Sequence, residues 1–148
     1  MNTPWFANLL VIAVSGITVA LVVLIHYEGL VWLSRRLARH TPHGRRKVMY
    51  GVFVVLGIHA LEIGLFGAAM WLLLEVPGTG HILGLEHAGF LDAVYLSSAT
   101  FTTVGFGDVS PAGAIRFLAG TEALAGFTLI TWSASFTYIE MVQYWHRR

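Results

Sequence analysis

The chain contains no cysteine, so disulfides, thiolate metal sites and thiol redox chemistry are excluded. Charged residues are also scarce, at 11% of the 148 residues, against 56% hydrophobic residues. A soluble domain carries roughly 25% charged residues, so this balance argues against a soluble fold and indicates an integral membrane protein. The formal net charge is +1, which predicts neither a nucleic-acid partner nor an acidic one.

Three apolar stretches reach the roughly 20 residues that a bilayer-spanning helix requires. They cover about residues 6–27, 48–74 and 114–141. The first lacks the basic segment and the cleavage site of a secretory signal peptide, so we expect it to remain as a helix. No segment between the spans is both polar and long enough to fold separately in water. The sequence therefore predicts one all-α membrane protein with three transmembrane helices per chain.

Basic residues lie almost entirely on one side of these spans. Eight of the nine lysines and arginines follow the first span or end the chain, and only Arg116 lies elsewhere. The positive-inside rule makes that side cytoplasmic, which predicts a multi-pass cell-membrane protein with its N-terminus outside and its C-terminus in the cytoplasm. Residues 31–47 are predicted to be a basic cytoplasmic loop that contacts anionic lipid. Its cations are Arg35, Arg36, Arg39, Arg45, Arg46 and Lys47.

The simplest role for this basic loop is to fix the topology. A specific lipid-binding regulatory site is the alternative, because Trp32, Leu33 and Leu37 alternate with the arginines. That pattern suggests a short amphipathic continuation of the first helix along the membrane surface.

The segment between the second and third spans is irregular. Residues 76–90 are rich in glycine, which predicts an outer loop, and residues 91–101 are apolar but about half the length of a span, as in a re-entrant helix. The sequence TTVGFGD follows at residues 102–108. Non-helical backbone at membrane depth must be buried in protein or line a water-filled path. Gly105 and Gly107 permit positive φ angles, with which successive carbonyls can face one axis.

The sequence TVGFGD at residues 103–108, after a half-length helix and between two spans, resembles the selectivity filter of the tetrameric potassium channel family. The resemblance implies a small two-transmembrane pore with an extra N-terminal helix, assembled as a fourfold homotetramer that conducts K⁺ passively. The extra helix would occupy residues 1–30 and the pore domain residues 48–148. Within the pore domain, the resemblance implies an outer helix at 48–75, an outer loop at 76–90, a pore helix at 91–101, a filter at 102–108 and an inner helix at 113–141.

The resemblance also implies roles for individual residues. Four backbone carbonyls would coordinate K⁺, those of Thr103, Val104, Gly105 and Phe106. Support for the filter would come from Thr102, Gly107, Asp108, Tyr95 and Ala99. Potassium is then the only ion required, no cofactor is expected, and no enzymatic chemistry is predicted. Gly126 lies near the family's gating hinge, with close helix packing as the alternative.

Two positions in the pore helix depart from the family pattern. Only Tyr95 remains of an aromatic pair, followed by Leu96, and Ala99 stands where several members carry a carboxylate behind the filter. We therefore hypothesise that Glu122, on the inner helix, supports the filter where Ala99 cannot.

Two carboxylates lie inside predicted spans. A charged carboxylate at the bilayer centre costs about 2.5–3.5 kcal/mol on insertion scales, so Glu62 and Glu122 must each be neutral, paired or hydrated. His59 lies on the same helical face as Glu62. We hypothesise a buried cluster of His59, Glu62 and Glu122, either as hydrogen-bonded neutral carboxyls or as a pH-sensitive gate. In the outer loop, His81, Glu86 and His87 lack the fixed spacing of a metal site.

Three functional alternatives stand beside selective K⁺ conduction. They are a non-conducting regulatory subunit, a transporter-associated membrane subunit, and a weakly selective cation channel on the same scaffold. Transporter pores of this kind generally combine four unlike repeats with one filter glycine each. The presence of both Gly105 and Gly107 in a single repeat therefore argues against the transporter alternative.

Overall fold

The computed structural model describes residues 4–39 and 44–145. The described chain is mainly helical, in agreement with the all-α membrane class, and adds one short two-stranded ladder. Its elements in chain order are α1 (Pro4–Arg39), α2 (Gly44–Leu74), β1 (His81–Leu83), α3 (Phe90–Phe101), β2 (Ser110–Ala112) and α4 (Arg116–Trp145).

Two of these helices are long and apolar enough to cross a membrane, over Trp5–Ala38 in α1 and Arg46–Leu74 in α2. A helix satisfies its backbone hydrogen bonds internally, so an apolar helix of this length tolerates lipid as its solvent. The shorter α3 starts one residue earlier than predicted, and α4 begins and ends a few residues later than the predicted inner helix.

The prediction of a basic loop over residues 31–47 is wrong for most of its length. Residues 31–39 continue α1, and α2 already begins at Gly44. The physical reason is packing, because Leu33 and Leu37 are buried in one cluster with Val55 of α2. Arg35 and Arg36 remain exposed on the opposite side of the helix. Residues 40–43 and the side chains of Arg39 and Arg45 lie outside the described residues.

The core lies where α3 meets the longer helices. α3 packs against both α2 and α4, and α1 packs against α2 and α4 on the other side. Phe66 and Met70 of α2, Phe101 of α3, and Leu118 and Leu129 of α4 are almost completely buried there. The short α3 is therefore held in place by the helices that precede and follow it.

A two-stranded antiparallel ladder joins the two loops that flank α3. His81 of β1 lies opposite Ala112 of β2, and Leu83 lies opposite Ser110. The sequence predicts only loop and turn here, because three-residue strands are too short to show alternating polarity. Next to the ladder, the Ile115 N–H donates to the Thr79 carbonyl at 2.9 Å. The loop that leaves the C-terminal end of α2 is thereby tied to the start of α4.

Candidate functional site

The pore-helix candidate α3 begins at a defined cap and ends beside the TVGFG segment. The Gly89 N–H donates to Asp92 Oδ2 at 2.8 Å, which satisfies a backbone group before the first turn. A carboxylate in the first turn also complements the positive end of the helix dipole. At the other end, the Gly105 N–H donates to the Ala99 carbonyl at 3.1 Å. The filter candidate therefore folds back against the last turn of α3.

Along the filter candidate, the backbone alternates between left-handed residues, which have a positive φ, and residues with a negative φ. Positive φ angles occur at every second residue, with 58° at Thr103, 53° at Gly105 and 84° at Gly107. Glycine adopts this region at little cost, but a β-branched threonine does so at a strain of about 1–3 kcal/mol. The Thr103 N–H donates to the Thr100 carbonyl at 2.9 Å, a contact that helps to hold the strained residue. A backbone of alternating hand can turn successive carbonyls to one side.

The filter candidate is uncovered in the single chain. Every residue from 102 to 108 is exposed, including the hydrophobic side chains of Val104 at 58% and Phe106 at 69%. Single exposed apolar residues are common, but contiguous exposed apolar surface such as this marks a contact site. The filter candidate therefore has an apolar surface that the rest of the single chain does not cover.

Tyr95 connects the pore helix to the far end of this segment. Its hydroxyl donates to Asp108 Oδ2 at 2.8 Å, and its ring stacks on Phe106 with centroids 6.1 Å apart and planes at 8°. The hydrogen bond to the Asp108 carboxylate raises the pKa of Tyr95, because it favours the protonated phenol. Three of the predicted site residues are thus brought together at one end of the filter candidate.

Glu122 contacts α3 from behind, through a serine that the sequence analysis does not single out. The Ser97 hydroxyl lies 2.5 Å from Glu122 Oε1 and 2.8 Å from the Ile63 carbonyl oxygen. The Ser97 hydroxyl has one proton, so it either shares this proton between the two oxygens or donates it to the Ile63 carbonyl and accepts from a protonated Glu122. Within the described residues, Glu122 Oε2 is buried without a hydrogen-bond partner. A neutral carboxyl is the less costly form in such a position.

At Gly126, α4 passes very close to the C-terminal end of α3. A Cβ atom at this position would lie 2.2 Å from the Phe101 carbonyl oxygen. Only a glycine therefore allows α4 to pass the carbonyl end of α3 at this distance. α4 is continuous through Gly126, from Arg116 to Trp145. The structure thus gives Gly126 a packing role, and the gating hinge stays a prediction.

The predicted cluster of His59, Glu62 and Glu122 divides into two sites. His59 Nδ1 lies 2.8 Å from Glu62 Oε2, but Glu122 is bonded to Ser97 instead, because it faces α3. The second partner of Glu62 is His26 of α1, whose Nδ1 lies 2.9 Å from Oε1. Sequence reasoning misses His26 because it lies 36 residues from Glu62 along the chain. The signal that could have identified His26 is its position at the end of a long apolar run, where a polar side chain needs a partner.

Three side chains, His26, His59 and Glu62, form the group of potential metal ligands found among the described residues. The outer-loop residues His81, Glu86 and His87 are not gathered into such a group within this part of the chain.

Comparison with known proteins identifies the family. A family model described as "Ion channel" matches residues 58–143. Protein LctB from Bacillus caldotenax and Protein LctB from Geobacillus stearothermophilus are each 47% identical to the chain over 38 residues, which is 26% of this chain and 28% of each relative. The alignment thus spans little more than a quarter of these relatives, and no solved structure matches the chain. Because the family model covers more than half of the chain and contains α3 and the TVGFG segment, this membrane protein belongs to the pore-loop ion channel family.

Proposed function

We propose that the chain is one subunit of a homotetrameric, potassium-selective channel whose filter is TVGFG at residues 103–107. The observation that carries the proposal is the alternation of positive φ angles at Thr103, Gly105 and Gly107. This alternation occurs in the one segment that leaves the end of a short, half-span helix. An ordinary turn does not require positive φ angles at three alternate residues, and the strain at Thr103 would destabilise such a turn.

The chemistry of conduction would rest on the backbone. Rings of carbonyl oxygens from Thr103, Val104, Gly105 and Phe106 would replace the hydration shell of K⁺ as it passes. The negative end of the α3 dipole, near Phe101, would favour a cation in the cavity below. Asp108, held by Tyr95, would add negative charge at the outer mouth and raise the local cation concentration.

A fourfold assembly would cover the surfaces that a single chain leaves open. Beside the exposed filter, one stripe of α4 is exposed at helical spacing, with Leu124 at 70%, Phe127 at 63% and Tyr138 at 65%. The intervening turns of this stripe carry Thr131 and Ala134, which are also exposed. Closed rotational symmetry places identical surfaces around one axis, so four copies would share these faces between subunit contacts and a water-filled cavity.

Three spans per chain, with α4 as the third, complete the proposed topology. At a rise of 1.5 Å per residue, the 30 residues of α4 extend about 45 Å, enough to cross a bilayer. Lys47 Nζ at the start of α2 lies 3.4 Å from Glu140 Oε2 near the end of α4, so these two ends share one face of the molecule. Leu37 lines one cleft with Lys47 and Glu140, so the exposed Arg35 and Arg36 lie near the same end of the bundle, where they suit anionic lipid headgroups. That face would be cytoplasmic and the N-terminus outside.

The direct test is ion flux through purified protein in liposomes. Uptake of Rb⁺, blocked by Ba²⁺ and much larger than uptake of Na⁺, is the expected result. Gly105→Ala should reduce this uptake by about tenfold or more, because it forces a side chain into a left-handed conformation. Gly120→Ala is the matched control, since a Cβ at either glycine meets nothing within 4 Å and only Gly105 has a positive φ.

The alternatives give different results in the same assay. Equal uptake of Na⁺ and Rb⁺ would identify a weakly selective cation channel. Absence of uptake by a verified tetramer would favour a regulatory or transporter-associated subunit. Uptake that survives Gly105→Ala unchanged would contradict the filter assignment.

A further inference from the structure

Two histidines and one carboxylate meet in the interior of the bundle, away from the filter candidate. His26 of α1 and Glu62 of α2 have fully buried side chains, and the His59 side chain is 13% exposed. One potential ligand atom from each of the three residues lies within 4.8 Å of the other two. We propose that His26, His59 and Glu62 bind one divalent transition-metal ion, with Zn²⁺ as the best match, and that this ion joins α1 to α2.

The donor set suits Zn²⁺. Two imidazole nitrogens and one carboxylate oxygen form a zinc site that leaves a fourth position open. With Zn–N and Zn–O bonds of about 2.0–2.2 Å, neighbouring donors of a tetrahedral ion lie roughly 3.3 Å apart. The present separations are 2.9 Å from His26 Nδ1 to Glu62 Oε1 and 2.8 Å from His59 Nδ1 to Glu62 Oε2. These two pairs use different oxygens of Glu62, and each must widen by about half an ångström, while the other separations, which extend to 4.8 Å, must shorten by up to about 1.5 Å.

In the metal-free cluster, both histidine rings are hydrogen-bonded to Glu62, and these same contacts hold the ring nitrogens close to the carboxylate, where an ion could bind. Without metal, both Nδ1 atoms can donate to the Glu62 carboxylate. With metal, each ring would offer the Nδ1 lone pair and carry its proton on Nε2, so binding needs a change of tautomer and no net loss of protons. His26 Nε2 faces the Ser133 hydroxyl of α4 at 3.4 Å, and this hydroxyl can accept that proton's hydrogen bond.

The electrostatic environment favours a cation. Among the described residues, the only ionic partners of Glu62 are His26 and His59. Apart from the Ser133 hydroxyl, the other side chains that lie against the two rings in the described part of the chain are aromatic, Trp132 beside His26 and Phe101 beside His59. With both rings neutral, an ionised Glu62 would leave an uncompensated charge within the span, which is costly. A divalent ion supplies the missing positive charge and one in excess, which the open fourth coordination position exposes to water.

An ion can also reach the site. His59 and Ser133 lie on the wall of an open cleft of about 370 Å³ between α2 and α4, which extends toward Val52 and Met141. The partial exposure of His59 faces this cleft, so the fourth coordination position would be open to water or a small ligand.

Metal content and cobalt spectroscopy on the purified full chain, without a polyhistidine tag, test the proposal. We expect one Zn²⁺ per chain after equilibrium dialysis, and a visible absorption band typical of four- or five-coordinate Co²⁺ when cobalt is the probe. Glu62→Gln and His59→Ala should each weaken binding by about 100-fold or more, and Ser133→Ala by roughly tenfold, as second-layer partners do. The paired variant His81→Ala with His87→Ala is the control and should bind normally.

A cysteine substitution makes the test independent of the folding of these variants. The natural chain has no cysteine, so His59→Cys would place the only thiol beside Glu62. If residue 59 ligates the ion, Co²⁺ bound to this variant should show a thiolate-to-cobalt charge-transfer band in the near ultraviolet. Fewer than one ion per two wild-type chains, binding unchanged by Glu62→Gln, or absence of that band would each overturn the proposal. None of these measurements depends on ion conduction.

Discussion

At the residue scale, the pair formed by Glu122 and Ser97 shows how a carboxyl can be kept inside a membrane bundle. Both side chains are fully buried, and the second oxygen of Glu122 has no partner among the described residues. Ser97 can donate its single proton to the Ile63 carbonyl and accept from a protonated Glu122, the form of a carboxyl that burial favours. The pair therefore acts as a neutral hydrogen-bonded contact between α3 and α4.

This protonation assignment predicts different effects for two substitutions. Glu122→Gln should change the free energy of unfolding by less than about 1 kcal/mol, because an amide N–H can replace the carboxyl O–H as donor to Ser97. Glu122→Ala should cost about 1–3 kcal/mol or more, because it removes a partner of Ser97 and leaves a cavity. Thermal unfolding in detergent would measure both. A Gln variant as unstable as the Ala variant would mean that the native group is ionised.

Residues that are close in sequence were predictable, and those brought together by tertiary packing were not. The pairing of His59 with Glu62 follows from their helical spacing, and the glycines of the filter candidate do adopt positive φ angles. The contacts of Glu62 with His26 and of Glu122 with Ser97 join different helices. They depend on the rotation of each helix about its axis, which composition and spacing do not determine.

At the element scale, the crossing of α4 over the end of α3 depends on the absence of one side chain. Gly126→Ala should destabilise the protein by about 1–3 kcal/mol, because its Cβ would overlap the backbone carbonyl of Phe101, which cannot rotate away. Gly120→Ala, on the same helix and exposed, should be neutral or slightly stabilising. Thermal unfolding again provides the measurement. Full stability with lost ion flux in Gly126→Ala would favour a hinge over a packing role.

The length of α1 has a second consequence at this scale. Leu33 belongs to the buried cluster with Val55 of α2, in the part of α1 that the sequence assigned to a loop. Leu33→Ala should cost about 1–3 kcal/mol, less than in a water-soluble core, because lipid removes the transfer contribution and leaves the packing loss.

Leu24→Ala is the control for this substitution, since Leu24 is 61% exposed on the same helix, and it should change stability little. Equal losses in the two variants would contradict the packing of this end of α1 against α2.

Helix boundaries were predictable only where hydropathy changes abruptly. The sequence places α3 within one residue, because glycines and a threonine pair bound its apolar run. It ends α1 too early, because arginines on the exposed side interrupt the apolar run while Leu33 and Leu37 continue the buried stripe. The β1–β2 ladder leaves no pattern in three-residue strands, so only the structure reveals it.

At the scale of the whole molecule, the proposed fourfold assembly, which would cover the open faces of the filter candidate and of α4, makes a prediction about mass. Native mass spectrometry of the protein released from detergent should show a species at four times the 16.2 kDa mass of the chain. Phe127→Glu, on the exposed stripe of α4, should weaken this species, because it places a charge where apolar surface is shared. Leu24→Glu is the matched control, because Leu24 is also exposed but lies on α1, and this variant should retain the fourfold species. A monomer or dimer as the largest species would contradict the assembly.

The ladder between β1 and β2 has a mechanical consequence. It joins the chain that leaves α2 to the chain that enters α4, and the filter candidate lies within the loop that it closes. A lateral force that separates the C-terminal end of α2 from the start of α4 would therefore act first on the ladder hydrogen bonds and on the contact of Ile115 with Thr79. We therefore expect the ladder to carry lateral load between α2 and α4 before the strained backbone at Thr103 does.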